Sequence, residues 1–82
     1  EERAAALLLS ISTRNYNRNL SATRFRLSMS RSEIGNYMGL TVETVSRVMS
    51  RLQKQEVIKV DNREVEVLEM DKLKEIANVS HI

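Results

Sequence analysis

The chain has 82 residues, with 13 Lys and Arg against 11 Asp and Glu, a formal net charge of +2, and no cysteine. That length fits one domain with a modest core, and without cysteine the chain itself offers no disulfide, thiolate metal site or iron–sulfur ligand. No apolar run approaches the length of a membrane span, nothing resembles a signal peptide, and no His, Cys or paired-carboxylate constellation points to an enzyme, so a cytoplasmic, non-catalytic domain is expected.

In chain order, residues 1–16 predict a helix that opens at once on Glu1-Glu2-Arg3, as in a piece of a longer protein. Ala4, Ala5, Leu7, Leu8, Leu9 and Ile11 cover more than one of its faces, and part of that surface is expected to meet a linking or dimerisation neighbour outside the chain. Asn15 to Thr23 is polar and reads as an exposed loop. After it, Phe25 and Leu27 alternate with Arg26 as a short strand.

Residues 30–55 then carry the strongest signal. Ser30 followed by Glu33 is a capping box that starts one helix near Arg31, and Thr41 caps a second. Between them lie the only two glycines of the chain. Gly39 falls where the first helix must stop in a left-handed residue, and Gly35 lacks the Cβ that would hold the second helix away. Apolar Ile34, Met38, Leu40, Val45 and Val48 fall on the inward faces of two crossing helices, the pattern of a helix-turn-helix rather than of an ordinary helical hairpin. On the second helix Val45, Val48, Met49 and Leu52 face the core. Glu43, Ser46, Arg47, Ser50 and Lys54 therefore point outward together, a candidate DNA-reading stripe whose N-terminal end is the part that enters a major groove.

Residues 57–68 predict a β-hairpin turning at Asp61-Asn62, both tolerant of positive φ. Asp71 is expected to cap a last helix over residues 71–78. His81 reads as part of a frayed tail rather than a ligand. Helix, strand, helix-turn-helix and hairpin in that order give a mainly α fold with a small β-wing, a winged helix. Charge follows the same division: Lys and Arg outnumber acids 5 to 2 over residues 1–30 and 4 to 2 over 31–55, while acids lead 7 to 4 over 56–82. A basic front and acidic back suit docking on phosphates, although a merely solvated surface gives the same balance.

The run Ile34–Arg47, the Glu1-Glu2-Arg3 opening and the Phe25-Arg26-Leu27 strand resemble the C-terminal DNA-binding domain of the FNR branch of the CRP/FNR bacterial transcription regulators. The resemblance spans nearly the whole chain and weakens after about Val57. Its most specific part is Val42-Glu43-Thr44-Val45-Ser46-Arg47, whose Glu43, Ser46 and Arg47 match the family's base-reading trio. The resemblance implies a homodimeric parent on two-fold double-stranded DNA sites with TTGAT-type half-sites, activating or repressing genes for anaerobic life. It also implies a sensor domain, absent here, whose cysteines bind an oxygen-labile 4Fe-4S cluster, and a loop touching RNA polymerase, to which Arg18 and Ser21 correspond.

The chemistry of the trio agrees with these roles. Arg47 can present a bidentate fork to guanine, Glu43 can accept from a cytosine amino group, and Ser46 is short enough for a thymine or phosphate contact. A surface Glu43–Arg47 ion pair is the competing account. Arg31, Thr41, Ser50, Arg51 and Lys54 are candidate phosphate contacts. Val42 either packs its methyls on a thymine methyl or belongs to the inner row with Val45 and Val48. The wing is a poor DNA contact, since Lys59 and Arg63 are outnumbered by Asp61, Glu64 and Glu66. A winged-helix protein-interaction module without DNA readout remains the alternative function, and the loop around Ser21 reads equally as a plain connection.

Overall fold

The computed structural model describes residues 2–77. They form α1 (Glu2–Asn17), β1 (Arg24–Arg26), α2 (Arg31–Met38), α3 (Val42–Lys54), β2 (Ile58–Asp61), β3 (Glu64–Val67) and α4 (Met70–Ala77). The expected end of α4 at residue 78, and His81, lie outside the described residues.

Three of these helices stop in the same way, with a left-handed residue followed by a paired return of backbone hydrogen bonds. After α2 that residue is Gly39 at φ 71°, with Leu40 N–H donating to Gly35 O at 2.7 Å. After α1 it is Asn19 at φ 60°, with Leu20 N–H reaching Asn15 O at 2.8 Å. After α3 it is Glu56 at φ 60°, with Val57 N–H reaching Leu52 O at 3.0 Å. Asn15 is therefore the acceptor that closes α1, inside the helix expected over residues 1–16, and the loop expected from Asn15 begins only after Asn17.

The helix starts are equally explicit. Ser30 Oγ accepts from Glu33 N–H at 3.2 Å while Glu33 Oε1 accepts from Ser30 N–H at 2.9 Å, so the capping box is complete. These bonds to Ser30 hold the Glu33 carboxyl below its ordinary pKa, with Arg63 adding to the effect. Thr41 Oγ1 accepts from Thr44 N–H at 3.1 Å and caps α3. Asp71 does not cap α4. The helix begins one residue earlier, where Leu73 N–H bonds Glu69 O at 3.0 Å, which leaves Asp71 in the first turn against the helix dipole.

The short strand does not stand alone. It joins the wing in one antiparallel sheet of order β1-β3-β2, with Phe25 opposite Val65 and Val65 opposite Val60. The period of two puts Phe25, Val65, Val67 and Ile58 on the core side, and Arg24, Arg26, Glu64, Glu66, Lys59 and Asp61 on the other. The hairpin turn is Asn62-Arg63 rather than Asp61-Asn62: Asp61 still pairs with Glu64, and of the turn residues Asn62 takes the positive φ of 60°. The Val60 amide on the free edge of β2 donates to Gln53 Oε1 at 3.2 Å, which ties the end of α3 to the wing.

Leu8, Val45, Leu52, Val57, Ile58 and Leu73 are the largest fully buried side chains and mark the centre of the core. Much of the apolar width of α1 meets the core inside the chain. Ala4, Ala5 and Leu8 are buried, Leu7, Leu9 and Ile11 pack half-buried against the same core, and α4, β1 and α3 all touch the helix. α4 gives the helix a second face to bury against, which accounts for Ala4, Ala5 and Leu8 within the chain and leaves Leu7, Leu9 and Ile11 partly open.

Candidate nucleic-acid interface

The turn between α2 and α3 is held by backbone, and that fixes how α3 is presented. An ideal Cβ on Gly35 would lie 2.6 Å from Leu40 O and 3.5 Å from the carbonyl carbon of Thr41. The close approach that requires glycine is thus to the turn itself, just ahead of α3, rather than to the second helix. With Val45, Val48, Met49 and Leu52 buried, the rotation of α3 is set, and the opposite side is left to solvent.

That exposed side carries Glu43, Arg47, Ser50 and Lys54, with Ser46 half-buried beside them, as the periodicity requires. Arg51, one turn beyond Arg47, is exposed as well. Val42 is the first residue of α3 and 46% exposed, so it is outside the inner row of Val45 and Val48. Thr41 is exposed, and its Oγ1 serves the N-cap and lies 2.9 Å from Thr44 Oγ1. The amides of the first turn of α3 precede the intrahelical ladder and add donor character at this end.

Electrostatically the stripe is open. Among the described residues the ion pairs are Arg24–Glu66 at 3.6 Å and Arg26–Glu64 at 3.5 Å, both on the sheet. Glu43 and Arg47 do not pair with each other. Their one-turn spacing leaves an acceptor and a planar donor fork side by side and unspent, a combination that can address the two sides of a G·C pair.

Other expected contacts have different surroundings. Arg31 opens α2 and is half-buried, and its Nη1 donates to Ser46 Oγ at 3.0 Å. This link spans 15 positions, and periodicity within either helix gives no sign of it. Arg63 at the wing turn donates to Ser28 O at 3.4 Å, folding its charge back onto the loop after β1. Ser21 is exposed, but its Oγ accepts from Thr23 N–H at 3.3 Å and Arg24 N–H at 3.0 Å, so it shapes the turn that leads into β1. Arg18 is exposed just past α1. No group of His, Cys, Asp and Glu among the described residues could hold a metal ion, and no helix there is long and apolar enough to cross a membrane.

Comparison with known proteins agrees with this arrangement. Residues 2–76 match the Crp-like helix-turn-helix domain family. The chain is 49% identical over 80 residues to the fumarate and nitrate reduction regulatory protein of Vibrio cholerae, covering 98% of this chain and 32% of that protein. It is 54% identical over 69 residues to the transcriptional activator protein Anr of Pseudomonas protegens, covering 84% of this chain and 28% of the relative. The chain therefore spans about a third of the length of these relatives. Among solved structures, FixK2 from Bradyrhizobium japonicum superposes with a TM-score of 0.80 at 36% identity, over 92% of this chain and 36% of that one. The catabolite activator protein of Thermus thermophilus gives a TM-score of 0.64 at 28% identity, over 94% of this chain and 35% of that one. With its two-helix unit, its exposed polar stripe on α3 and its wing in this order, the chain belongs to the Crp-like helix-turn-helix domain family of DNA-binding transcription regulators and stands with its FNR-type members.

Proposed function

We propose that this domain reads TTGAT-type half-sites in the major groove and serves, in its parent protein, to activate or repress genes for life without oxygen. The observation that carries the reading is the unpaired Glu43–Arg47 couple on the exposed side of α3, with Val42 and Ser46 flanking it. Arg47 forks onto guanine O6 and N7, Glu43 accepts from a cytosine amino group, and Val42 packs on a thymine methyl. Thr41, Ser50, Arg51 and Lys54 surround this centre and hold the flanking phosphates, which position the helix without selecting sequence. The anaerobic role is supported by the likeness to the Vibrio cholerae relative, a fumarate and nitrate reduction regulatory protein.

In this reading the parent acts as a homodimer on a two-fold site in the cytoplasm, and Arg18 and Ser21 touch RNA polymerase. A 4Fe-4S cluster of an FNR-type parent does not fit this chain, which has no cysteine to ligate it. Any such sensing belongs to another part of the parent.

Titration of a labelled duplex carrying two TTGAT half-sites, against a scrambled duplex and at several salt concentrations, tests the reading. Binding should weaken steeply with salt on both duplexes, while the preference for TTGAT persists. Equal affinity for the two duplexes would reject sequence reading by α3.

A further inference from the structure

A serine inside a helix ordinarily turns its hydroxyl back to the carbonyl of the preceding turn or out to solvent. Ser46 instead receives a hydrogen bond from Arg31 Nη1 at 3.0 Å, and both side chains are half-buried. A guanidinium has only donors, so in this bond the hydroxyl is the acceptor and its own proton is left over. Arg31 makes no ion pair among the described residues, so no acid competes for its fork.

We propose that Arg31 is a positioning residue for base readout, which occupies a lone pair of Ser46 Oγ and so presents Ser46 to the groove as a hydrogen-bond donor. The proposal rests on the reading of α3 as the base-reading helix. A free serine hydroxyl is ambivalent, able to donate or to accept, and discriminates poorly. With Arg31 on the oxygen, Ser46 seeks an acceptor on a base edge. Thymine O4 supplies one, whereas cytosine shows a donor amino group at the corresponding place. Arg31 thus turns a tolerant contact into one that separates thymine from cytosine. Lysine cannot replace it, because a point charge on a flexible stem lacks the planar fork that fixes direction.

The test compares the chain with Arg31→Lys, Ser46→Ala and the double variant, on TTGAT duplexes in which each half-site T·A pair is changed in turn to C·G. Ser46→Ala should lose about tenfold of the thymine preference at one position, the lower range of a single base contact. Arg31→Lys should lose the same preference at the same position, keep its affinity for scrambled duplex and its salt slope, and add nothing in the double variant. Arg31→Met, a second variant that drops the charge as well, should lose that preference and in addition about one unit of salt slope. Thymine preference retained in both Arg31 variants, or lost additively with Ser46→Ala, would overturn the proposal and leave Arg31 a phosphate contact. If the unaltered chain shows no preference for TTGAT over scrambled duplex, the reading of α3 fails and the role of Arg31 falls with it. A wild-type preference that Arg31→Lys leaves intact removes only the latter.

Discussion

The outer face of α3 and the outer face of the β1-β3-β2 sheet are both charged, and they use that charge in opposite ways. On the sheet, Arg24 pairs with Glu66 and Arg26 with Glu64 across the register, and Arg63 turns back to Ser28 O. On α3, Glu43 and Arg47 stand one turn apart without pairing. Charge answered inside the chain joins strand to strand and contributes little elsewhere. Charge left unanswered at the end of a rigid helix is available to a partner. Residue type does not separate the two sets, since both hold arginines and glutamates. The difference comes from geometry: cross-strand neighbours meet directly, whereas the core face of α3 dictates which residues look out.

Disturbing the support of α3 should have the largest effect. Gly35→Ala places a Cβ 2.6 Å from a backbone carbonyl oxygen that cannot move without opening the turn. A loss of about 1–3 kcal/mol is expected from such overpacking, visible as a drop of several degrees in the melting temperature and accompanied by weaker discrimination between duplexes. An unchanged melting curve would show that the turn gives way freely.

On the DNA side, Val42→Arg should change which base is preferred. Val42 is 46% exposed at the tip of α3, so the substitution should leave the fold intact. An arginine there reaches guanine O6 and N7, and preference should move from TTGA toward GTGA by about 1–3 kcal/mol. Competition between the two half-sites reads this directly, and an unaltered ratio in a folded variant would take Val42 off the reading face.

A smaller effect is expected where α3 meets the wing. Glu56 holds a left-handed backbone, φ 60°, between the fully buried Leu52 and Val57. For a residue with a Cβ that conformation costs about 1–2 kcal/mol, so Glu56→Gly should stabilise the chain by about 1 kcal/mol, less whatever glycine loses from its freer unfolded chain. Denaturant unfolding gives the sign. The smallest effect is a pH dependence. The Glu33 carboxyl is held below its ordinary pKa by its bonds to Ser30. It therefore contributes stability above the carboxylate pKa of the unfolded chain and loses that contribution as pH falls through the lowered folded value. Glu33→Gln should flatten the fall in melting temperature over that acid range, and curves that remain parallel would show that the carboxylate adds nothing to the cap.

Much of the central unit was legible in the sequence, because its determinants are local. A capping box, an N-cap threonine, a left-handed Gly39 and a row of Val45, Val48, Met49 and Leu52 each act within a few residues of themselves. What escaped was non-local or against propensity. The strand at Phe25 joins the hairpin through β3, some forty residues onward in the chain, and no periodicity announces its partner. The polarity of Asn15 to Thr23 hides the last residue of α1, Asn17, and the helix stop at Asn19 that uses the Asn15 carbonyl. Glu56 gave no sign of a left-handed turn, since glycine is the residue that usually marks one. Of the candidate site, the outward stripe on α3 followed from its period, but the bond from Arg31 to Ser46 did not. Two helices must first be crossed before those side chains can meet.

The most direct test sets one arginine from each face side by side. Arg47→Ala and Arg24→Ala each remove one positive charge, from the stripe and from the sheet. Arg47→Ala should lose about 1–3 kcal/mol of discrimination at the half-site guanine, with little change in melting temperature or in binding to scrambled duplex. Arg24→Ala should keep full discrimination and lose at most about 1 kcal/mol of stability, as expected of an exposed ion pair. Equal losses on specific and scrambled duplexes for Arg47→Ala, or a loss of discrimination for Arg24→Ala of the same size, would contradict the division of labour between the two faces.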